Sequence, residues 1–152
     1  MGVGGEVTGA PMSPQDIVED VVRAEADGFG SAWSAHFSRG VDALDVLAVA
    51  GARTSRIDLG VGIVPTYPRH PLALAQQAAT TQAFCGGRLT LGVGVPHRPV
   101  IEDLHGITYA RPAAKQGVGG DGAWGEQLSA CSAPVMGRPA GSSSPTWTSR
   151  QA

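Results

Sequence analysis

Apolar residues recur along this chain in two alternating rhythms. Ile17, Val18, Val21 and Val22 fall at helical spacing behind Ser13-Pro14-Gln15-Asp16. Ser13 can cap such a helix, Pro14 suits its first position, and Asp16 places negative charge near its positive end. Gly28, after Asp27, stops it. A short strand is predicted over 31–37, and a second helix over 42–53 with Leu44, Leu47, Ala48 and Ala52 as its inner face. Residues 57–64 read as a strand. Pro65, Pro68 and Pro71 confine the next stretch to a loop carrying Arg69-His70. Pro71 opens a third helix over 71–84, which Gly86-Gly87 end, and 89–95 form a strand closed by Pro96.

Strands separated by helices imply right-handed crossovers and a parallel sheet, here with a weak first strand before Ser13. The two clearest strands share one word, Leu-Gly-Val-Gly, beginning at Leu59 and again at Leu91. Both are apolar on either side, broken only by glycine and by Asp58 or Thr90 near their starts. That suits strands covered by helices on one face and packed core on the other. The glycines strip side chains from the strand ends, where a flat ligand can approach the backbone. Beyond Ala113 both rhythms lapse, and alanine, glycine and serine dominate. Gly141-Ser142-Ser143-Ser144-Pro145 reads as a linker or disordered tail.

Composition narrows the function classes. A chain of 152 residues with 42% hydrophobic and 16% charged positions is expected to be globular rather than disordered. Its net charge of -2 and 5% aromatic content argue against nucleic acid as a partner. No stretch approaches the roughly 20 apolar residues of a membrane span, and no signal core opens the chain, so a cytoplasmic protein is expected. Cys85 and Cys131 lie far apart without metal-type spacing, which makes both reduced thiols with packing roles or none. No metal site is expected.

In a parallel βα array ligands bind at the C-terminal ends of the strands. The polar residues there are His36, His97 and Arg98, with Thr66, Arg69 and His70 slightly beyond. No nucleophile elbow, HExxH, Walker loop or CxxC is present. Neither Gly-Val-Gly completes GxGxxG, because Pro65 and His97 occupy the last glycine position, so a Rossmann dinucleotide site is disfavoured. His36, at the end of the first predicted strand, is the sharpest candidate, since an imidazole can exchange a proton with a bound substrate at neutral pH. A histidine hydrogen-bonded at the core edge fits the same spacing. His97 offers the same two readings, and Arg69-His70 fits a solvated loop pair.

Three segments, in order, carry a family resemblance. Ala24-Glu25-Ala26-Asp27-Gly28-Phe29-Gly30-Ser31-Ala32-Trp33 resembles the first helix and second strand of luciferase-like monooxygenases. Arg56-Ile57-Asp58-Leu59-Gly60-Val61-Gly62-Ile63-Val64-Pro65 with Arg69-His70-Pro71 resembles their third strand and its loop. Gly86-Gly87-Arg88-Leu89-Thr90-Leu91-Gly92-Val93-Gly94 resembles their fourth. The resemblance covers roughly residues 12–112 and is nearest to the branch that uses the deazaflavin coenzyme F420. It implies a TIM-like (β/α)8 barrel holding a deazaflavin, or alternatively FMN, at the strand C-termini. It further implies hydride transfer to or from a small organic substrate. In that family a bulge with a non-proline cis peptide backs the cofactor ring, and the matching bond is Gly62–Ile63. The residues implied are His36 for proton handling, and Gly62, Ile63, Val64, Gly94 and His97 for the cofactor. The branch commonly has aspartate before that histidine; this chain has Ala35.

A complete barrel takes about 250 residues and eight strands. Residues 1–112 supply about four parallel strands, so the fold class expected is α/β, the N-terminal half of such a barrel, with 113–152 as a disordered tail. A truncated or frameshifted copy is therefore expected. A half-barrel leaves strand edges and an inner face uncovered, and self-association into a homo-oligomer would cover them. Two alternatives to an oxidoreductase stay open: a non-catalytic remnant of one, and a small α/β binding module.

Overall fold

A computed structural model describes residues 13–110. Helix α1 (Pro14–Ala26) opens on a capping box. The Ser13 hydroxyl accepts from Asp16 N–H and the Asp16 carboxylate accepts from Ser13 N–H, so two otherwise orphaned donors are satisfied. Strand β1 (Ser31–Ser34), helix α2 (Ala43–Arg53), strand β2 (Asp58–Pro65), helix α3 (Pro71–Phe84) and strand β3 (Leu89–Gly94) come next in chain order. The strands form one parallel sheet in the order β1-β2-β3. A short π-helical turn, Val100–Leu104, comes after β3, and no periodicity in the sequence signals it. The weak first strand expected before Ser13 and the tail expected over 113–152 lie outside the described residues.

The helices cover one face of the sheet. Ile17, Val18, Val21 and Ala24 of α1, Leu44, Leu47 and Ala50 of α2, and Leu74, Ala75 and Ala78 of α3 pack against Ala32, Leu59, Val61, Leu89 and Leu91. Burying one leucine of this set contributes roughly 2 kcal/mol before the entropy of ordering it is subtracted. Ala52, expected on the inner face of α2, is exposed. Gly51 takes its place, because there α2 lies so close to α3 that a β-carbon would stand 2.6 Å from Cys85 Sγ. The Cys85 thiol is buried and pushed up to about 11 chiefly by that burial, an inert packing group. Cys131 lies outside the described residues.

Strand β1 ends at Ser34, three residues short of the expected span. Its last partner is Val61, after which β2 bulges: Val61 pairs with Leu91 but the next pair is Val64 with Val93. Gly62 and Ile63 therefore face a single residue, Gly92, and the ladder partner β1 would need is displaced. The peptide between Gly62 and Ile63 is cis, at the bond the family resemblance indicated.

At the N-terminal end of the sheet two charged side chains are committed to backbone. The Glu25 carboxylate accepts from the N–H groups of Ser55, Arg56 and Ile57, the last two at 2.7 and 2.8 Å. These bonds hold its carboxyl down at about 2. Arg88 donates to the carbonyls of Ile57 (2.6 Å), Gly51 (3.0 Å) and Thr54 (2.8 Å), closing the C-terminal end of α2. No described helix is long and apolar enough to cross a membrane.

Candidate active site at the strand C-termini

The face of the sheet turned away from the helices carries few side chains, and the repeated glycines explain why. Trp33 lies across Gly60, its register partner, where a β-carbon would collide with the indole. Ile63, turned out by the bulge, lies over Gly92 and Gly94, and its terminal methyl occupies the space a Gly94 β-carbon would need. Both large residues remain partly open to solvent, Trp33 at 44% and Ile63 at 43%. The glycines thus seat two apolar side chains instead of baring backbone. The result is an apolar floor at the C-terminal ends of β1 and β2, beside a sheet edge. Gly62 is exposed, whereas Val64 and Gly94 are buried, and Gly94 lies beneath Ile63.

His36 stands two residues beyond β1, with its side chain only 8% exposed. The first N–H of α2, from Ala43, donates to His36 Nδ1 at 3.3 Å. A ring nitrogen that accepts a backbone N–H carries no hydrogen, so the neutral ring holds its proton on Nε2. Burial, the largest influence, pushes the imidazole below its ordinary value. The Asp42 carboxylate, 4.0 Å from Nδ1, and Asp45 pull the other way, while Arg69 adds to the depression. His36 is therefore an uncharged imidazole at neutral pH, held by the first N–H of α2.

Asp42, Gln77 and Asp45, which sequence reasoning did not assign, complete this cluster together with Arg69. Asp42 caps α2 by accepting from Leu44 N–H at 2.9 Å, and it accepts from Arg69 Nη2 at 2.5 Å. Burial alone would raise the Asp42 carboxyl, but the bond and charge of Arg69 hold it below the usual range. Arg69 Nη1 donates to Gln77 Oε1 at 2.5 Å, and Gln77 Nε2 donates to Asp45 at 2.9 Å. Arg69 is thus tied down on two sides rather than solvated. The available signal was the cap position of Asp42, which sets the carboxylate where the loop after β2 arrives.

His97 is exposed beyond β3, and β2 separates it from His36. The structure does not bring these two histidines together. His70 caps α3 through Nδ1, which accepts from Leu72 N–H at 3.2 Å. Arg98 lies over Tyr109, which stacks on Tyr67 with ring centres 5.4 Å apart. Among the described residues no group of histidine, cysteine or carboxylate side chains is arranged to hold a metal.

A parallel βα sheet with its polar cluster and apolar floor at the strand C-termini defines an α/β protein, of the kind that builds barrels as well as open sheets. The sequence profile described as luciferase-like monooxygenase matches residues 1–116, and the chain belongs to that family. It is similar to a putative coenzyme F420-dependent oxidoreductase of Mycobacterium tuberculosis, 36% identical over 102 residues. That match takes in 67% of this chain and 29% of the relative, so the chain spans under a third of the relative's length. Among solved structures, the coenzyme F420-dependent tetrahydromethanopterin reductase of Methanopyrus kandleri superposes with a TM-score of 0.57 and 35% identity, over 64% of this chain and 28% of that one. The monooxygenase RslO1 of Streptomyces bottropensis gives 0.65 and 26%, over 86% and 40%. The expected partial TIM-like architecture is what these neighbours share with the described residues.

Proposed function

We propose that this chain forms part of a deazaflavin-dependent oxidoreductase, with F420 as the cofactor and FMN as the alternative, acting by hydride transfer on a small organic substrate. The observation that carries the reading is the pairing of an exposed apolar floor, Trp33 and Ile63, with a buried neutral His36 at the same end of the sheet. The residues present fit a flat conjugated ring. Ile63 lies down in the groove that Gly92 and Gly94 leave and keeps an exposed apolar surface. When bound, the deazaflavin or flavin supplies the hydride chemistry.

The chain's own residues bind, orient and hold a proton. Gly62, Ile63 and Val64 form the bulge that backs the ring, with Gly94 seating Ile63 from below and His97 at the rim. His36 presents the hydrogen on Nε2. The likeness to F420-dependent relatives supports F420 over FMN.

Titration with F420 and with FMN, followed by absorbance and fluorescence, tests the reading. Saturable binding is expected to survive His36→Ala, while turnover falls by roughly a hundredfold or more. Absence of binding by either cofactor would instead assign this chain to the non-catalytic members of its family.

A further inference from the structure

Thr66, directly after β2, is only 1% exposed, and the site as described leaves it without a task. Both of its donors point at one atom. Its N–H reaches the Gly94 carbonyl at 3.0 Å, and its hydroxyl reaches the same oxygen at 3.3 Å. A carbonyl oxygen has two lone pairs, so this one is fully occupied. Pro65 and Gly94, the last residues of β2 and β3, are register partners, and the Thr66 bonds close the ladder beside them. Gly94 is thereby held at a fixed height in the sheet.

That height decides how Ile63 lies. A β-carbon on Gly94 would coincide with the Ile63 Cδ1 methyl, whereas Ile63 Cγ1 and Cβ would stand at 3.4 and 3.6 Å, ordinary contact distances. Only the free end of the side chain rests on the bare backbone. Gly92 differs, because its β-carbon would meet the Val61 carbonyl oxygen at 2.7 Å, and a backbone atom cannot swing aside. The ladder therefore requires Gly92, while the pose of one side chain requires Gly94.

We infer that Thr66 is a positioning residue: its two donors hold the Gly94 carbonyl, which sets the backbone under the Ile63 methyl and so the orientation Ile63 presents to a planar ring. The inference rests on the proposed oxidoreductase reading, in which Ile63 backs that ring. It gives a purpose to a buried hydroxyl that shape alone does not need.

The test reads the full chain twice, without cofactor and with it. Without cofactor, the carbon NMR shift of the Ile63 Cδ1 methyl reports its rotamer. Thr66→Val keeps the N–H and the shape but loses the hydroxyl, and it is expected to move that signal. It should also weaken F420 binding by about fivefold, the equivalent of one hydrogen bond. Thr66→Ser keeps a hydroxyl and should return both readings toward the wild type. Gly94→Ala should weaken binding by about tenfold, and adding Ile63→Val, which removes Cδ1, should recover most of it. Thr80→Val removes an exposed hydroxyl bonded within α3 and should change neither reading. If Thr66→Val does not give a folded spectrum, Thr66→Cys serves, a weaker donor of similar size. An unmoved methyl signal or an unchanged F420 affinity in that variant, a serine variant no closer to wild type, or a double variant no better than Gly94→Ala would each overturn the inference. A wild-type chain that binds neither F420 nor FMN would overturn the oxidoreductase reading instead, and the methyl shifts would still decide this one.

Discussion

The two ends of this sheet hold charge in different ways. At the N-terminal end Glu25 and Arg88 are bound to backbone, one to three N–H groups and the other to three carbonyls. Their hydrogen bonds close a loop and a helix terminus, satisfying backbone groups that secondary structure leaves over. At the C-terminal end His36, Asp42, Arg69, Gln77 and Asp45 bind mostly one another. Charge committed to backbone is structural. Charge committed to other side chains can be redirected toward a ligand, which is why the barrel's chemistry sits at one end.

The comparison can be broken most forcefully at Arg88. Arg88→Met strips donors from the carbonyls of Gly51, Thr54 and Ile57, and a loss of about 3 kcal/mol is expected in urea denaturation. A loss no larger than that of an ordinary surface substitution would mean that water replaces the side chain, and the backbone clamp would lose its significance.

Glu25 sharpens the same contrast through pH. Its carboxyl titrates at about 2 in the native chain against an ordinary value of 4.5. As pH falls, the unfolded chain takes up this proton first. The stability that Glu25 contributes is therefore complete above pH 4.5 and lost on the way down to about 2. Glu25→Gln should be less stable at neutral pH and show a flatter acid limb across that window in thermal melts. Parallel limbs for the two proteins would dismiss the assignment.

The smallest effect on stability is expected at the other end. Asp42→Asn keeps an N-cap oxygen on α2 but loses the carboxylate paired with Arg69, so a loss of about 1 kcal/mol is expected, smaller than at Arg88. The same substitution removes a carboxylate that favours the protonated imidazole, so the His36 midpoint should move further down in an NMR titration. A large stability loss with an unmoved His36 would make this cluster a structural clamp like the one at the opposite end.

Much of this was legible from patterns of residues close together in sequence. Helix α3 opens at Pro71 and ends at Phe84 as its proline and glycine punctuation indicates, and Ser13 with Asp16 forms the cap expected of it. The order of strands comes from alternating rhythms, and the Gly62–Ile63 bond from resemblance. The polar cluster was not legible, because it joins Asp42 to Arg69 across two loops whose approach only the folded sheet determines. Arg69 sits between Pro68 and His70 as any solvated cation might. The purpose of the repeated glycines was equally hidden: in sequence they resemble ligand clearance, whereas Gly60 and Gly94 are complements to Trp33 and Ile63 on the neighbouring strand.

That complementarity ties together positions that are remote in the chain. The Ile63 side chain is a tongue and Gly92 with Gly94 the groove that receives it. Widening the tongue or filling the groove alone must tilt the floor on which a planar ligand would rest. Family members that carry a larger residue at the place of Gly94 should therefore carry a smaller one at the place of Ile63. The shape of the floor is set by a matched pair.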